Sequence, residues 1–430
     1  WSAPGKGRIY RIADPVRRED PRVKGMKALM ASGMEAEQSG ALRAMLGHPD
    51  MRVRMEAQFE LADRGLDSLS VFAEVFETQG GLFPRLHAVW GIGQVIDRAG
   101  FGKDQNLLAE RVEPLIQAFE NSEAEVKAQI CKVLGDLKTV SALPILLGAL
   151  NDESARVQYF AALSLGKLGH SEALGSLLEL ASRNADKDVY LRHAVVMALV
   201  GINDLPAILN ASNSGDLAVE RVSLLALRRL KRVEVSRFLS HSDLEMVREA
   251  ALAINDVPID SATTELALLI DRQGLDEPVL RRAINANYRL GTYESAVALA
   301  RFASDSNQSE SLRSEAIEAL GDWEGPLGRD RITGVWRPLL SRGRDNQIAG
   351  QAVQPLVNDL LAAESDSVKE GALSLIDRLS LGESVDRVVA ISRSEEETPK
   401  VRAAALRALK KLDEDQFRSA LQVALFSSHE

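Results

Sequence analysis

Three groupings in this sequence have residue types and spacings that could do chemistry. The first is an acid followed four residues later by a base, Asp50 with Arg54 and Asp188 with Arg192; Asp216 with Glu220 breaks the rule. A basic residue recurs at the same place in Lys127, Arg248, Arg281, Arg313, Lys369 and Arg402. With the acid capping its helix and the base one turn on, stacking should set the Arg of one repeat near the Asp of its neighbour, forming either a ladder of ion pairs or a ligand-binding strip. The second grouping is Arg85, His87 and Trp90 on one predicted helix; His87 and Trp90 are expected on its exposed side because Ala88 and Ile92 face inward, which suits a partner surface or else packing. The third is GDWEGPLGRDRITGVWRP at 321–338, where Trp323, Asp330, Arg331, Trp336 and Arg337 sit among breakers. Such a segment is expected either to dock a neighbouring domain or to seal its own flanks with tryptophan.

Elsewhere the chemical groups are dispersed. The other histidines, His48, His170, His193, His241 and His429, stand singly, and no pair has metal-ligand spacing. Cys131 is the one cysteine, so neither a disulfide nor a C-x-x-C-H haem site can be built from this chain, and it reads as an inert helix thiol. No Ser/His/Asp group, glycine-rich phosphate loop or carboxylate pair stands out. The expectation is a non-enzyme without cofactor or metal.

The elements that must carry these residues are helices. In DMRVRMEAQFELA, residues 50–62, Asp50 is a good N-cap and Val53, Ala57 and Leu61 form an apolar stripe at four-residue steps. With Val53 as position zero, the unit is apolar at 0, basic at +1, small at +4, apolar at +8, often Gly at +9 and apolar at +11. Copies follow at Pro84, Val126, Val157, Leu191, Val219, Val247, Leu280, Leu312, Val368 and Val401. From Val126 to Leu312 the spacings are 31, 34, 28, 28, 33 and 32 residues. Another apolar helix precedes most copies, for example Leu143–Leu150, so each unit is a helical hairpin and the chain is an array of them. The final apolar stripe, Phe417, Leu421, Ala424 and Leu425, reads as a first helix without a second, meaning either continuation of the array or a capping helix.

Composition agrees with stacked helices: hydrophobic residues at 45% and charged at 27% are globular values, with aromatics only 5%. The net charge of −10 is uneven, because residues 1–30 hold eight basic and three acidic residues and leave −15 for the remainder. An acidic array disfavours sequence-independent nucleic-acid binding. No apolar run reaches the ~18–20 residues of a membrane span. Residues 1–12, WSAPGKGRIYRI, alternate like a short strand and read as an extended tail, to about residue 14, of a preceding β domain.

The pattern Asp-x-x-Val-Arg-x-x-Ala with a Leu-Gly end resembles the HEAT family of helical repeats over residues 30–430. The family implies an all-α solenoid, a right-handed superhelix of about eleven hairpins, here over 15–430 with an irregular insertion at 321–338. A narrower likeness lies in WSAPGKGRIYRI, HPDMRVRMEAQFELADRG at 48–65, PRLHAVWGIGQ at 84–94 and RDRITGVWRP at 329–338. These resemble the HEAT-repeat middle region of exported planctomycete-type proteins that join a β-propeller to a cytochrome c domain. That resemblance implies a non-catalytic spacer between electron-transfer domains, in a periplasmic or exported location. The alternatives are an independent adaptor binding a peptide or protein on its concave face and, as a minor one, a helical-repeat lyase or glycosylase.

Overall fold

The computed structural model describes residues 10, 14–78, 81–100, 104–325, 328–339 and 344–425. The expected extended tail at 1–14 lies outside the described residues apart from Tyr10 and Asp14. Two compact units make up the chain, residues 1–226 and 227–430.

Both units are built of helical hairpins. The second helices are α1 (Met51–Asp63), α2 (Leu82–Ala99), α3 (Ala124–Asp136), α4 (Ala155–Leu168), α5 (Val189–Ile202) and α6 (Leu217–Arg229), then α7 (Leu244–Asp256), α8 (Glu277–Leu290), α9 (Glu310–Gly321), α10 (Asp366–Leu379) and α11 (Pro399–Leu412). First helices such as Leu143–Ala149, Leu174–Asn184 and Tyr293–Ser304 precede them. Amphipathic periodicity places the stripe at 0, +4 and +8 against the first helices: Val53, Ala57 and Leu61 in α1, and Val157, Ala161 and Leu165 in α4, are fully buried. The final helix, Glu414–Leu425, buries Ala420, whereas Leu421 and Leu425 are exposed, so its stripe is narrower than expected.

Capping corrects the repeat frame. In α1, α4 and α5 the N-cap, Asp50, Ser154 or Asp188, stands three residues before position zero. In α7 and α8 the N-caps are Asp243 and Asp276, whose side chains accept from backbone amides inside the helix. Position zero is therefore Met246 and Val279, one residue before Val247 and Leu280. Each pair of neighbours is apolar, so hydrophobicity alone did not separate them; the cap does. Arg248 and Arg281 move to +2, which explains why they are more exposed than Arg54, Arg313 and Arg402.

The recurrent glycine at +9 also acquires a cause. A Cβ on Gly93 would lie 2.9 Å from Val133, one on Gly135 2.2 Å from the Ser164 hydroxyl, and one on Gly166 2.6 Å from the Ala198 backbone. Val133, Ser164 and Ala198 are each at +7 of the next second helix. The contact between successive second helices is thus a +9 to +7 approach, closest where the two backbones touch at Gly166.

Candidate functional site

The basic residues at +1 divide into two kinds. Arg54, Arg313 and Arg402 are buried. Arg54 Nη1 turns back to the carbonyls of His48 (2.7 Å) and Pro49 (3.0 Å) in the turn after the preceding first helix, and Arg313 Nε donates to that of Ala303 (2.8 Å) in the last turn of its own preceding helix. Arg402 Nε does the same to Ser392 at 3.4 Å. Carbonyls at a helix C-terminus lack intrahelical donors and carry negative partial charge, so a buried guanidinium suits them. Lys127 and Lys369 instead reach forward to an acid in the inter-helix turn of the next hairpin, Asp152 at 3.3 Å and Glu397 at 2.7 Å. Arg248 and Arg281, now at +2, also reach forward, to Asp276 (3.5 Å) and Glu315 (2.7 Å).

The expected pairing of each Arg with a neighbour's N-cap Asp does not hold throughout. Asp50 pairs with Arg52, whose guanidinium hydrogen bond holds the carboxyl down to about 2. Asp188 caps its own helix through the amides of Tyr190 and Leu191. Arg192 binds Asp186 at 2.6 Å, and Arg221 of the next second helix shares that carboxylate at 3.1 Å. Only Asp276 serves as both cap and ladder acid, accepting from the Val279 amide of its own helix and pairing with Arg248 of the helix before; elsewhere the partners are turn acids, Asp152, Asp186 and Glu397, or Glu315 within α9.

His87, expected on an exposed side, is only 4% exposed. Position +3 of α2 faces α1. Arg54 Nε donates to His87 Nε2 at 3.2 Å, and His87 Nδ1 lies 2.6 Å from Gln58 Oε1, so the neutral ring carries its proton on Nδ1. Burial first, and then the Arg54 charge, push this imidazole down to about 4. Gln58 Nε2 donates onward to Gln94 Oε1 at 3.0 Å, and Trp90 Nε1 donates to Gln129 Oε1 at 3.0 Å. Of this set, Arg85 is tied to Glu123 at 2.8 Å and Trp90 is half-buried.

The insertion folds as a small hairpin closed by a bridge between Arg329 and Trp336. Its backbone bonds are Asp330 N to Val335 O and Arg337 N to Gly328 O, both 2.9 Å. A side chain at Gly328 would meet the Trp336 ring at 2.3 Å, so it would have to displace that ring. Asp330, 3% exposed, is the anchor. Its Oδ1 accepts from the amides of Ile332 and Thr333, each 3.0 Å, and from Thr333 Oγ1; its Oδ2 accepts from Asn285 Nδ2 at 3.0 Å. Arg289 and Arg337 each lie 3.6 Å from that carboxylate. Burial alone would raise its pKa, but the donated hydrogen bonds outweigh burial and leave it below the usual range.

Around this anchor, Arg337 also pairs with Asp260 and donates to the Asn255 carbonyl at 3.1 Å. Arg331 binds Asp322 (2.7 Å) and Glu318 (3.1 Å). Trp323 is fully buried and covered by Arg344, which lies 4.6 Å over its ring and 4.8 Å over that of Tyr288. Trp336 is 69% exposed. Of the five insertion residues proposed to contact a partner, only Trp336 is therefore presented outward. Sequence reasoning missed Asn285, Arg289 and Arg344. In the corrected frame Asn285 falls at +6, a place otherwise apolar in most of residues 1–226, and that exception was the available signal.

Among the described residues no group of three or more His, Cys, Asp and Glu could hold a metal, and no helix is long and apolar enough to cross a membrane. Cys131 is buried, which pushes its thiol up to about 12.

Residues 112–199 match the HEAT-repeat family. No curated protein matches the chain in sequence. Among solved structures the chain is similar to an engineered protein at 18% identity, covering 87% of this chain and 98% of that one, TM-score 0.32. It is also similar to Kap95p, solved with RanGDP, at 14% identity over 88% of this chain and 55% of that chain, TM-score 0.45. A third likeness is to the CpcE and CpcF complex of phycocyanin lyase from Nostoc sp. PCC7120, at 21% identity over 49% and 86%, TM-score 0.25. The fold itself, an all-α HEAT-like solenoid, rests on the packing of the hairpins and on the family match.

Proposed function

We propose that this chain is a non-catalytic scaffold that binds or orients protein partners. The observation that carries the reading is the use already made of the second-helix surface in residues 227–430. There the chain lays its own hairpin across α7, α8 and α9, fixed by Asp330 to Asn285 and by Arg331 to Glu318 and Asp322. A helical-repeat surface that holds one extended polypeptide through side-chain amides, carboxylates and guanidinium groups has the chemistry to hold another. Affinity capture on the immobilised chain, followed by titration of each recovered protein against the soluble chain, tests this. A saturable complex of fixed stoichiometry supports the scaffold; turnover of a substrate, or no saturable complex with any recovered protein, overturns it.

The narrower reading we propose is that the scaffold spaces a β-propeller from a cytochrome c domain in one exported electron-transfer protein. What supports it is the resemblance of residues 1–12, 48–65, 84–94 and 329–338 to that family's middle region. Sequencing the flanking reading frame decides it: propeller repeats upstream and C-x-x-C-H downstream are expected, and their absence removes the electron-transfer role. An independent adaptor is the second reading, favoured by the hold that α7, α8 and α9 already have on the hairpin of residues 328–337.

A further inference from the structure

A cavity of about 410 Å³ lies in residues 1–226 where two successive first helices, Ser68–Glu77 and Gln105–Phe119, come to their ends and α2 begins. That size falls within the roughly 300–1,000 Å³ of small-molecule pockets. Phe76 and Pro114, both half-buried, give it an apolar wall, while Glu77, Arg85 and Asn121 bring polar groups to it.

Arg85 is the group with the most bonding capacity to spare. Glu123 holds its Nη1 at 2.8 Å, whereas its Nε is buried without a hydrogen-bond partner and its Nη2 has none among the described residues. Those two nitrogens form the side edge of the guanidinium, the edge that takes a carboxylate through two parallel bonds. The exposed Asn121 amide, also without a partner among the described residues, offers a further donor. Glu77 brings the opposite charge to the same cavity and has no ion pair among the described residues. It ends one first helix as Phe119 ends the other, and carbonyls at helix C-termini carry negative partial charge that favours a cation. A ligand with a carboxylate alone would be repelled by Glu77, and one with an amine alone by Arg85. A molecule carrying both groups satisfies both residues.

We infer that this cavity is a binding site for a small free amino acid with an apolar body. Its carboxylate lies on the Nε–Nη2 edge of Arg85, its ammonium at Glu77 and its body against Phe76 and Pro114. The site goes beyond the scaffold reading, which neither needs it nor falls with it.

The test is isothermal titration of the full chain with leucine, methionine, phenylalanine and 6-aminohexanoate, the last of which holds the two charges further apart. Saturable one-to-one binding of at least one of the four is expected. The N-acetyl and the carboxamide forms of that ligand should each bind the unaltered chain about tenfold or more weakly, the loss of one charge-assisted hydrogen bond. This readout does not depend on how any variant folds. Arg85→Gln and Glu77→Gln should weaken the parent ligand to a similar extent, and Glu120→Gln, exposed and outside the cavity lining, should leave it unchanged. No saturable binding by any of the four overturns the site. So does a blocked form that binds as tightly as its parent, or affinity that survives Arg85→Gln in full.

Discussion

The +9 to +7 contact makes a prediction whose sign depends on geometry. Gly166 and Gly148 both lie inside helices, α4 and Leu143–Ala149, and by intrinsic propensity Gly→Ala should stabilise either by up to about 1 kcal/mol. At Gly148 a Cβ meets nothing within 4 Å, so Gly148→Ala should show that gain. At Gly166 the new Cβ would lie 2.6 Å from Ala198 Cα and 3.2 Å from the Met197 carbonyl. Both are backbone atoms, so no rotamer change relieves them. Restoring an ordinary carbon contact of roughly 3.6 Å requires moving one helix backbone by about 1 Å. Overpacking of this kind costs about 1–3 kcal/mol, which exceeds the propensity gain and leaves Gly166→Ala destabilised by up to about 2 kcal/mol. Gly93→Ala should fall between the two, because its obstacle at 2.9 Å is the movable side chain of Val133. Urea midpoints by far-UV circular dichroism give the order, and hydrogen exchange in α4 and α5 localises it, since repeat arrays can open in parts. The reasoning is refuted if Gly166→Ala raises the midpoint as Gly148→Ala does.

Protonation of His87 should loosen the α1–α2 joint. Its pKa is about 4 in the folded chain against about 6.5 unfolded, so the unfolded chain binds the extra proton first and stability falls as pH drops from 6.5 through 4. The full loss is about 3 kcal/mol at 1.36 kcal/mol per unit, and His87→Gln should remove that slope in urea titrations compared across this pH range. Asp330→Ala should strip the carboxylate from Arg289, Arg337 and Asn285 and cost roughly 3–5 kcal/mol locally, read as faster proteolysis between residues 323 and 339 before global unfolding. Asp330→Asn keeps the turn acceptor and should cost less; equal protease resistance of all three proteins would refute the anchor. Cys131 should resist a thiol reagent at neutral pH until denaturant is added, because burial holds its pKa near 12; rapid native-state labelling would contradict its placement.

The parts of this fold legible in the sequence are those set by one periodicity. The stripe Val53, Ala57, Leu61 had to face a first helix, and the spacing of its copies had to give hairpins. What periodicity could not give was the second buried surface. Within a unit, second helices also pack against the second helices beside them, so His87 at +3, Val133, Ser164 and Ala198 at +7, and Gly135 and Gly166 at +9 are buried although they lie off the main stripe. His87 at +3 was therefore assigned to solvent, and it is buried because Arg54 and Gln58 meet it from α1. Asp330 was illegible for a related reason. A carboxylate among glycines normally reads as solvated, and its burial is offset by a donor, Asn285, far away in sequence and by backbone amides that only the folded turn aligns. The frame error at Val247 and Leu280 joins these two failures. Had the N-caps Asp243 and Asp276 set the register, Asn285 would have stood at +6, polar in a row that is otherwise largely apolar through Leu225. A polar residue there needs a partner on the open face, and the anchored hairpin supplies it.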